Sequence, residues 1–263
     1  MKALKLSCLC LTLLCPLSLA QQDVATGKSD DEASREAVRI VRGLEKHLSG
    51  KSRLAYETAL TSDVVLDNGQ KIQITGTTRV YFKRPNQLMA ELRTDSLNRL
   101  FYHDGKQLTV IAPDEKYYGT IPANSTSIDA LTRAAKEYGL EIPLVDLIAW
   151  GVKGTDALHV ESAVYIGESE LQGKKVDHWA FRGPQQDWEV WVTLGDDPLP
   201  LKISIVSYHT FSQPRFTATI TWQDRTSMTD SMFAPDIDKD FHQIPFKKLK
   251  PAKEEKAKEV QNE

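Results

Sequence analysis

The sequence predicts a mainly β, α+β fold: a long curved antiparallel sheet with an apolar face covered by helices. Three observations carry this. Between Val176 and Trp222, four apolar runs (Val176–Arg182, Trp188–Leu194, Leu201–Tyr208 and Phe216–Trp222) are separated by Gly183-Pro184, by Gly195-Asp196-Asp197-Pro198 and by Ser212-Gln213-Pro214. Runs of this length, rich in Val, Ile, Thr, Phe and Trp and bounded by Gly, Pro and Asp, are strand and hairpin signals, and short connections favour antiparallel neighbours. Upstream, Lys71–Lys83 and Gln87–Thr94 alternate apolar with polar residues, which means one dry face and one wet face. Two stretches, Asp31–Leu48 and Ser127–Tyr138, switch to the helical period and offer covers for the dry face.

Met1–Ala20 stands apart from the fold. Lys2 and Lys5 form a basic start, Leu6–Leu19 a short apolar core, and Ser18-Leu19-Ala20 a small-x-small cleavage site. That is the pattern of a cleaved secretory signal peptide, too short and wrongly flanked for a membrane span, and no later stretch reaches the roughly 20 apolar residues a span needs. All 3 cysteines, Cys8, Cys10 and Cys15, lie within it. The exported chain therefore lacks the means for a disulfide, a Cys-ligated metal or a Cys nucleophile. Loss of Lys2 and Lys5 takes the formal charge from −3 to −5, because the peptide contains no acidic residue. Such a balance argues against a nucleic-acid partner, which needs a basic face.

Gln21–Asp30 is polar and reads as a flexible mature N-terminus. In Asp31–Leu48, Ala37, Ile40, Val41, Leu44 and Leu48 fall on one helix face, with Asp30 and Asp31 at the start and Ser49-Gly50 as the stop. Arg53–Leu66 is a strand with Leu54, Tyr56, Leu60, Val64 and Leu66 on one parity, turned by Asp67-Asn68-Gly69-Gln70 into Lys71–Lys83. Arg84-Pro85-Asn86 turns the chain into Gln87–Thr94. A meander follows: Asn98–His103, Gln107–Ala112 and Lys116–Ile121, punctuated by Asp104-Gly105 and Pro113-Asp114. Ser127–Tyr138 is the second helix, ended by Gly139, and Ile142–Trp150 a short apolar third. Gly151–Asp156 is a loop, His159–Gly167 a strand, and Glu168–Gly173 the turn into Val176–Arg182. After Trp222, Asp230–Pro235 reads as a last short strand, and lysine- and glutamate-rich Lys247–Glu263 as a disordered tail. The domain plan is thus 1–20 signal peptide, 21–30 flexible segment, 31–246 one domain and 247–263 tail.

The chain also resembles a known group. Gly173-Lys174-Lys175-Val176-Asp177-His178-Trp179-Ala180-Phe181, Trp188-Glu189-Val190-Trp191-Val192, Pro198-Leu199-Pro200-Leu201-Lys202, Trp222 and Phe233-Ala234-Pro235 follow the order and spacing of a family of predicted periplasmic proteins catalogued as a domain of unknown function. The segment from Val80 to Ile121, with a strand ending in Arg84-Pro85 and an Asp104-Gly105-Lys106 turn before a tyrosine strand, is similar to the lipoprotein carriers LolA and LolB and to the sigma-factor regulator RseB. The resemblance spans about Ala37 to Phe246. It implies a half-open, highly curved antiparallel barrel, LolA-like, lidded by helices. It further implies a periplasmic location and a client that is a hydrophobic small molecule, lipid or lipoprotein. An alternative is an RseB-like interaction or envelope-stress module engaging a periplasmic or outer-membrane protein through a sheet edge or the tail.

Catalytic signatures are missing. The 6 histidines, His47, His103, His159, His178, His209 and His242, show no H-x-x-x-H or H-E-x-x-H spacing, and neither G-x-S-x-G nor a phosphate loop occurs. No metal, cofactor or enzymatic activity is expected; a hydrolase with an unrecognised carboxylate or histidine site is the remaining reading. Asp196-Asp197 read as turn residues. Trp188 and Trp191 have opposite strand parity, so one faces inward. The residues expected to line a cavity are Leu54, Tyr56, Ile72, Ile74, Val80, Phe82, Leu88, Leu92, Trp179, Phe181, Trp191, Ile203 and Ile205. Arg79, Arg93 and Arg182 are expected at its mouth, placed to meet an anionic headgroup or carboxylate. The expected function is therefore an exported periplasmic protein holding an acyl chain, lipid or other apolar ligand, in lipoprotein or envelope trafficking.

Overall fold

The computed structural model describes residues 30–140, 142–150, 152, 160–208, 212–224 and 227–249. The expected signal peptide, residues 21–29, His159, His209 and the tail beyond residue 249 lie outside them.

The strands of the described residues form one 12-stranded sheet, in the order β12-β6-β5-β4-β3-β2-β1-β11-β10-β9-β8-β7. Its first half is a meander of β1 (Arg53–Val65), β2 (Lys71–Lys83), β3 (Gln87–Thr94), β4 (Asn98–His103), β5 (Gln107–Ala112) and β6 (Tyr117–Pro122). The second is a meander of β7 (Ser162–Leu171), β8 (Lys174–Arg182), β9 (Asp187–Thr193), β10 (Pro200–Val206) and β11 (Arg215–Trp222). Antiparallel pairing of β1 with β11, from Tyr56↔Trp222 to Ser62↔Phe216, joins the two halves. Only β12 (His242–Gln243) pairs in parallel, along β6. The architecture is the expected one: mainly β, an open, curled, half-barrel sheet with helices on one face.

Strand parity sets which side chains meet the helices. Leu54, Tyr56 and Leu60 of β1 and Val80 and Phe82 of β2 share a buried inner face with Trp179, Phe181, Trp188, Val190, Val192, Ile203, Ala218 and Ile220 from the second meander. Helix α1 (Asp30–Ser49) buries Ala37, Val41, Leu44 and Leu48 against that face, on the side of β7. Helix α2 (Ser127–Tyr138) buries Ile128, Ala130, Leu131 and Ala134 in the same core. Each large apolar side chain fully removed from water contributes about 1.5–3 kcal/mol. Helix α2 is capped at both ends. Thr126 Oγ1 accepts from the Asp129 N–H at 3.1 Å, and Gly139, in the left-handed region at φ 68°, donates to Ala135 O at 2.9 Å.

Four expectations are corrected. The strand expected to end at Gly167 continues to Leu171, because a bulge at Ile166 absorbs one residue and Gly167–Leu171 then pair with His178–Lys174. The turn shrinks to Gln172 and Gly173, both at positive φ (53° and 70°), the geometry of a two-residue type I′ hairpin. Of Ile142–Trp150, only Asp146–Ala149 (α3) is helical, since Leu144 sits at φ 59°. Asp230–Phe233 is a single 3-10 turn rather than a strand. Phe233 and Met228 plug a second small cluster with Ala55 and Tyr81 on the outer face of β1 and β2. Finally, the first residues assigned to the tail are held: Leu249 N–H donates to Glu137 O at 2.7 Å and Lys248 pairs with the Glu137 carboxylate at 2.7 Å. No helix of the described residues is long and apolar enough to cross a membrane.

Candidate functional site

The inner face divides into a filled part and an open part. Leu54, Tyr56, Val80, Phe82, Leu88, Leu92, Trp179, Phe181 and Ile203 are all buried within the core. Tyr56, Val80, Phe82 and Leu88 have no accessible surface at all, so no space the size of a water molecule adjoins them. Ring packing explains the density. Phe181 stacks on Trp188 with centroids 4.0 Å apart and planes 9° apart, and Tyr165 and Phe181 flank Trp179 at 5.0 and 6.4 Å. The Tyr56 hydroxyl donates to Leu144 O at 3.0 Å, tying the segment before α3 to the sheet.

Beyond this core the same face becomes mixed, with threonine, glycine and serine among the apolar residues, and then loses its cover. Thr58 and Thr78 sit opposite each other, buried, with the Thr78 N–H donating to Thr58 Oγ1 at 3.2 Å. The next pair is Leu60 with Gly76, where a Cβ would lie 2.5 Å from Arg93 O, so only glycine fits as β3 ends. From there the β1–β2 hairpin projects with Ile74 opposite Ser62 and Ile72 opposite Val64. Across β11 and β10 the row continues through Ser62↔Phe216 and Phe216↔Ile205. Ile72, Ile74, Phe216 and Ile205 are half-buried, while Val64 and Leu66 are 38% and 40% exposed. Ile205 and Phe216 join this lip to the core, while Ile72, Ile74, Val64 and Leu66 lie beyond the packed residues. Of the residues expected to line a cavity, Ile72, Ile74 and Ile205 lie on it. Val64, Leu66 and Phe216 complete it; the sequence carried their parity, but not the β1–β11 pairing that brings them together.

Four expected site residues lie on the opposite face. Trp191 falls there because Phe181 pairs with Trp188, which turns Trp191 outward against His178, with ring centroids 3.9 Å apart and planes 13° apart. Lys202 sits 4.3 Å above the Trp191 ring. Arg79 alternates with inward Val80 and bridges Glu57 at 2.8 Å and Glu91 at 3.0 Å; the Glu57 hydrogen bond and charge keep its guanidinium above its ordinary pKa. Arg93 lies 3.5 Å from Glu91. Arg182 grips Asp187 through two 2.8 Å hydrogen bonds, which hold that carboxyl below the usual carboxylate range. These arginines do not form a mouth; each is already matched to a carboxylate.

One Ser–His contact bears on the hydrolase reading. His103 Nδ1 lies 2.9 Å from Ser127 Oγ and its Nε2 lies 2.9 Å from Ala123 O. A carbonyl only accepts, so Nε2 carries a proton and donates to Ala123 O. Both residues have no accessible surface, so the pair anchors the start of α2 and meets no substrate. Among the described residues, no three His, Asp or Glu side chains are placed to hold a metal ion.

A family model described as "Predicted periplasmic protein (DUF2092)" matches residues 37–247. No curated protein matches the chain. Among solved structures, LprF from Mycobacterium bovis is similar at 12% identity and a TM-score of 0.48, covering 75% of this chain and 97% of that one. The lipoprotein LppX from Mycobacterium tuberculosis is similar at 13% identity and 0.46, covering 73% and 98%. An uncharacterised conserved protein from Thermus thermophilus is similar at 15% identity and 0.45, covering 80% and 99%.

Proposed function

The chain belongs to the DUF2092 family of predicted periplasmic proteins, and from that premise we propose that it is a periplasmic binding protein that takes an acyl chain, lipid or other apolar ligand on the lip of its half-barrel. The observation that carries this reading is the half-buried set Ile72, Ile74, Phe216 and Ile205, interrupted only at Ser62, of which Phe216 and Ile205 pack against the core. Leaving such residues wet has a cost, since each 40 Å² of apolar surface left in water forgoes about 1 kcal/mol. The filled core behind the row makes the binding shallow: the ligand lies along the β1–β2 hairpin and against Phe216, and α1 and α2 hold the sheet's curvature instead of lining a deep pocket. The protein contributes surface and orientation; no reacting group is assigned to it.

Organic extraction of the purified mature protein followed by mass spectrometry tests the reading. Co-purified fatty acid or phospholipid at a substantial molar fraction is the expected result. Its absence, together with failure to take up an added acyl chain, would overturn it.

A further inference from the structure

The two edges of the sheet are treated differently. At the β6 edge the chain covers itself: His242 N–H donates to Lys116 O at 2.9 Å, Ile244 N–H donates to Tyr118 O at 2.8 Å, and Phe246 packs over Gly119. At the other edge β7 ends the sheet, and among the described residues no strand pairs with its outer side. Strand β7 is 10 residues long and contains neither proline nor lysine, the residues that most often blunt an edge. Its inner residues Ala163 and Tyr165 pack against the core, with α1 above, while Val164 points the other way; Val164 and Ile166 are 41% and 40% exposed. Past the bulge, a Cβ at Gly167 would meet nothing within 4 Å, so the sheet face beside this residue is uncovered.

We propose that the β7 edge accepts an extended, cationic peptide segment of a partner protein as an added antiparallel strand, independently of the apolar-ligand reading above. Main-chain hydrogen bonds would supply the docking and alternate side chains the selectivity. The charge on the strand chooses the occupant. Glu161, Glu168 and Glu170 are exposed; across the β7–β8 pair Glu168 faces Asp177 and Glu170 faces Lys175. Lysine or arginine at alternate positions of an incoming strand would meet Glu168 and Glu170, and a β-branched residue would cover Val164. A second copy of this chain fits less well, because two β7 strands would bring only carboxylates to the shared ribbon.

The probe is an end-blocked octapeptide of alternating valine and lysine, compared with one of the same charge in which every valine is proline. With the full mature protein, the valine peptide is expected to bind and to slow amide exchange within Ser162–Leu171 alone. The proline peptide, unable to form the ladder, is expected to bind at least tenfold more weakly. Glu168→Lys combined with Glu170→Lys should weaken the valine peptide about tenfold, and Val164→Pro should abolish its binding. Uptake of an acyl probe should be unchanged in both variants. The charge-reversed variant keeps the test decisive if Val164→Pro does not fold. Equal binding of both peptides, protection elsewhere in the sheet, no binding, or a protein dimer dissolved by Val164→Pro would each overturn the proposal, the last in favour of self-pairing.

Discussion

Arg84 Nη2 donates to the carbonyl of Leu48 at 3.2 Å, closing the last turn of α1 from the far end of β2. Its Nε donates to Lys51 O at 3.0 Å, and its guanidinium lies 5.2 Å from the centre of the Phe82 ring. The next residue, Pro85, accepts the N–H of Ser127 at 3.0 Å, at the first turn of α2. One Arg-Pro turn thus fixes the end of one covering helix and the beginning of the other. Carbonyls at a helix C-terminus favour a cation, and this guanidinium reaches Leu48 O within α1 and Lys51 O just beyond it.

Replacing Arg84 with methionine keeps much of the packing and removes both hydrogen bonds. A loss of about 1–3 kcal/mol is expected in chemical denaturation, with faster amide exchange confined to the last turn of α1. Lysine at this position should restore only part of the loss, because its single ammonium lacks the fork that spans Leu48 O and Lys51 O.

The buried Ser127–His103 pair makes a different prediction. His103→Leu leaves the Ser127 hydroxyl without its partner in a dry site and the Ala123 carbonyl with the Ser125 N–H alone, at an expected cost of about 1–3 kcal/mol. The effect should appear as a lowered denaturation midpoint, whereas a hydrolytic role for the pair would show as activity lost without loss of stability.

Thr78 predicts the opposite sign. Its hydroxyl is fully buried and has no hydrogen-bond partner, although its N–H is bound by Thr58 Oγ1. Thr78→Val keeps the shape and removes the unsatisfied oxygen, so stability should rise by about 1 kcal/mol in the same denaturation assay.

His178 gives the fold a pH dependence. Burial beside Trp191 pushes its pKa below the ordinary value of 6.5, against the opposing pull of Glu189 at 3.1 Å. A folded-state pKa below the unfolded one means the unfolded chain binds the proton more readily. This contribution to stability is therefore complete above about pH 6.5 and is lost as the pH falls through the lower folded value. Urea midpoints measured across that window should fall more steeply for the native sequence than for His178→Gln.

Much of the fold was legible because alternation and turn chemistry agree. The limits of β2, β3, β4, β5 and α2 coincide with the sequence reading, each closed by Gly, Pro or Asp. Ambiguity entered where polar residues continue a strand: Glu168–Leu171 pair with β8 although their composition suggests a turn. The 3-10 turn at Asp230–Phe233 has the composition of a strand, and only the outer-face cluster that receives Phe233 decides its shape. The site was legible in part. Arg79 and Val80 cannot share a face, so an inward Val80 places Arg79 outward, where it bridges Glu57 and Glu91. The position of Trp191 needed the register Phe181↔Trp188, which no single strand carries. The division between filled core and open lip arises from the long-range pairing of β1 with β11 and has no local signature.

The most direct measurement is titration of the purified mature protein with a fluorescent fatty acid, alongside Ile74→Asp and Leu88→Ala. Ile74 lies on the lip, whereas Leu88 is fully buried in the core behind it. The account predicts saturable binding, at least tenfold weaker binding by Ile74→Asp with its fold intact, and near-native affinity in Leu88→Ala despite a stability loss of about 2–5 kcal/mol. Absence of binding, or affinity that follows Leu88 and ignores Ile74, would contradict it.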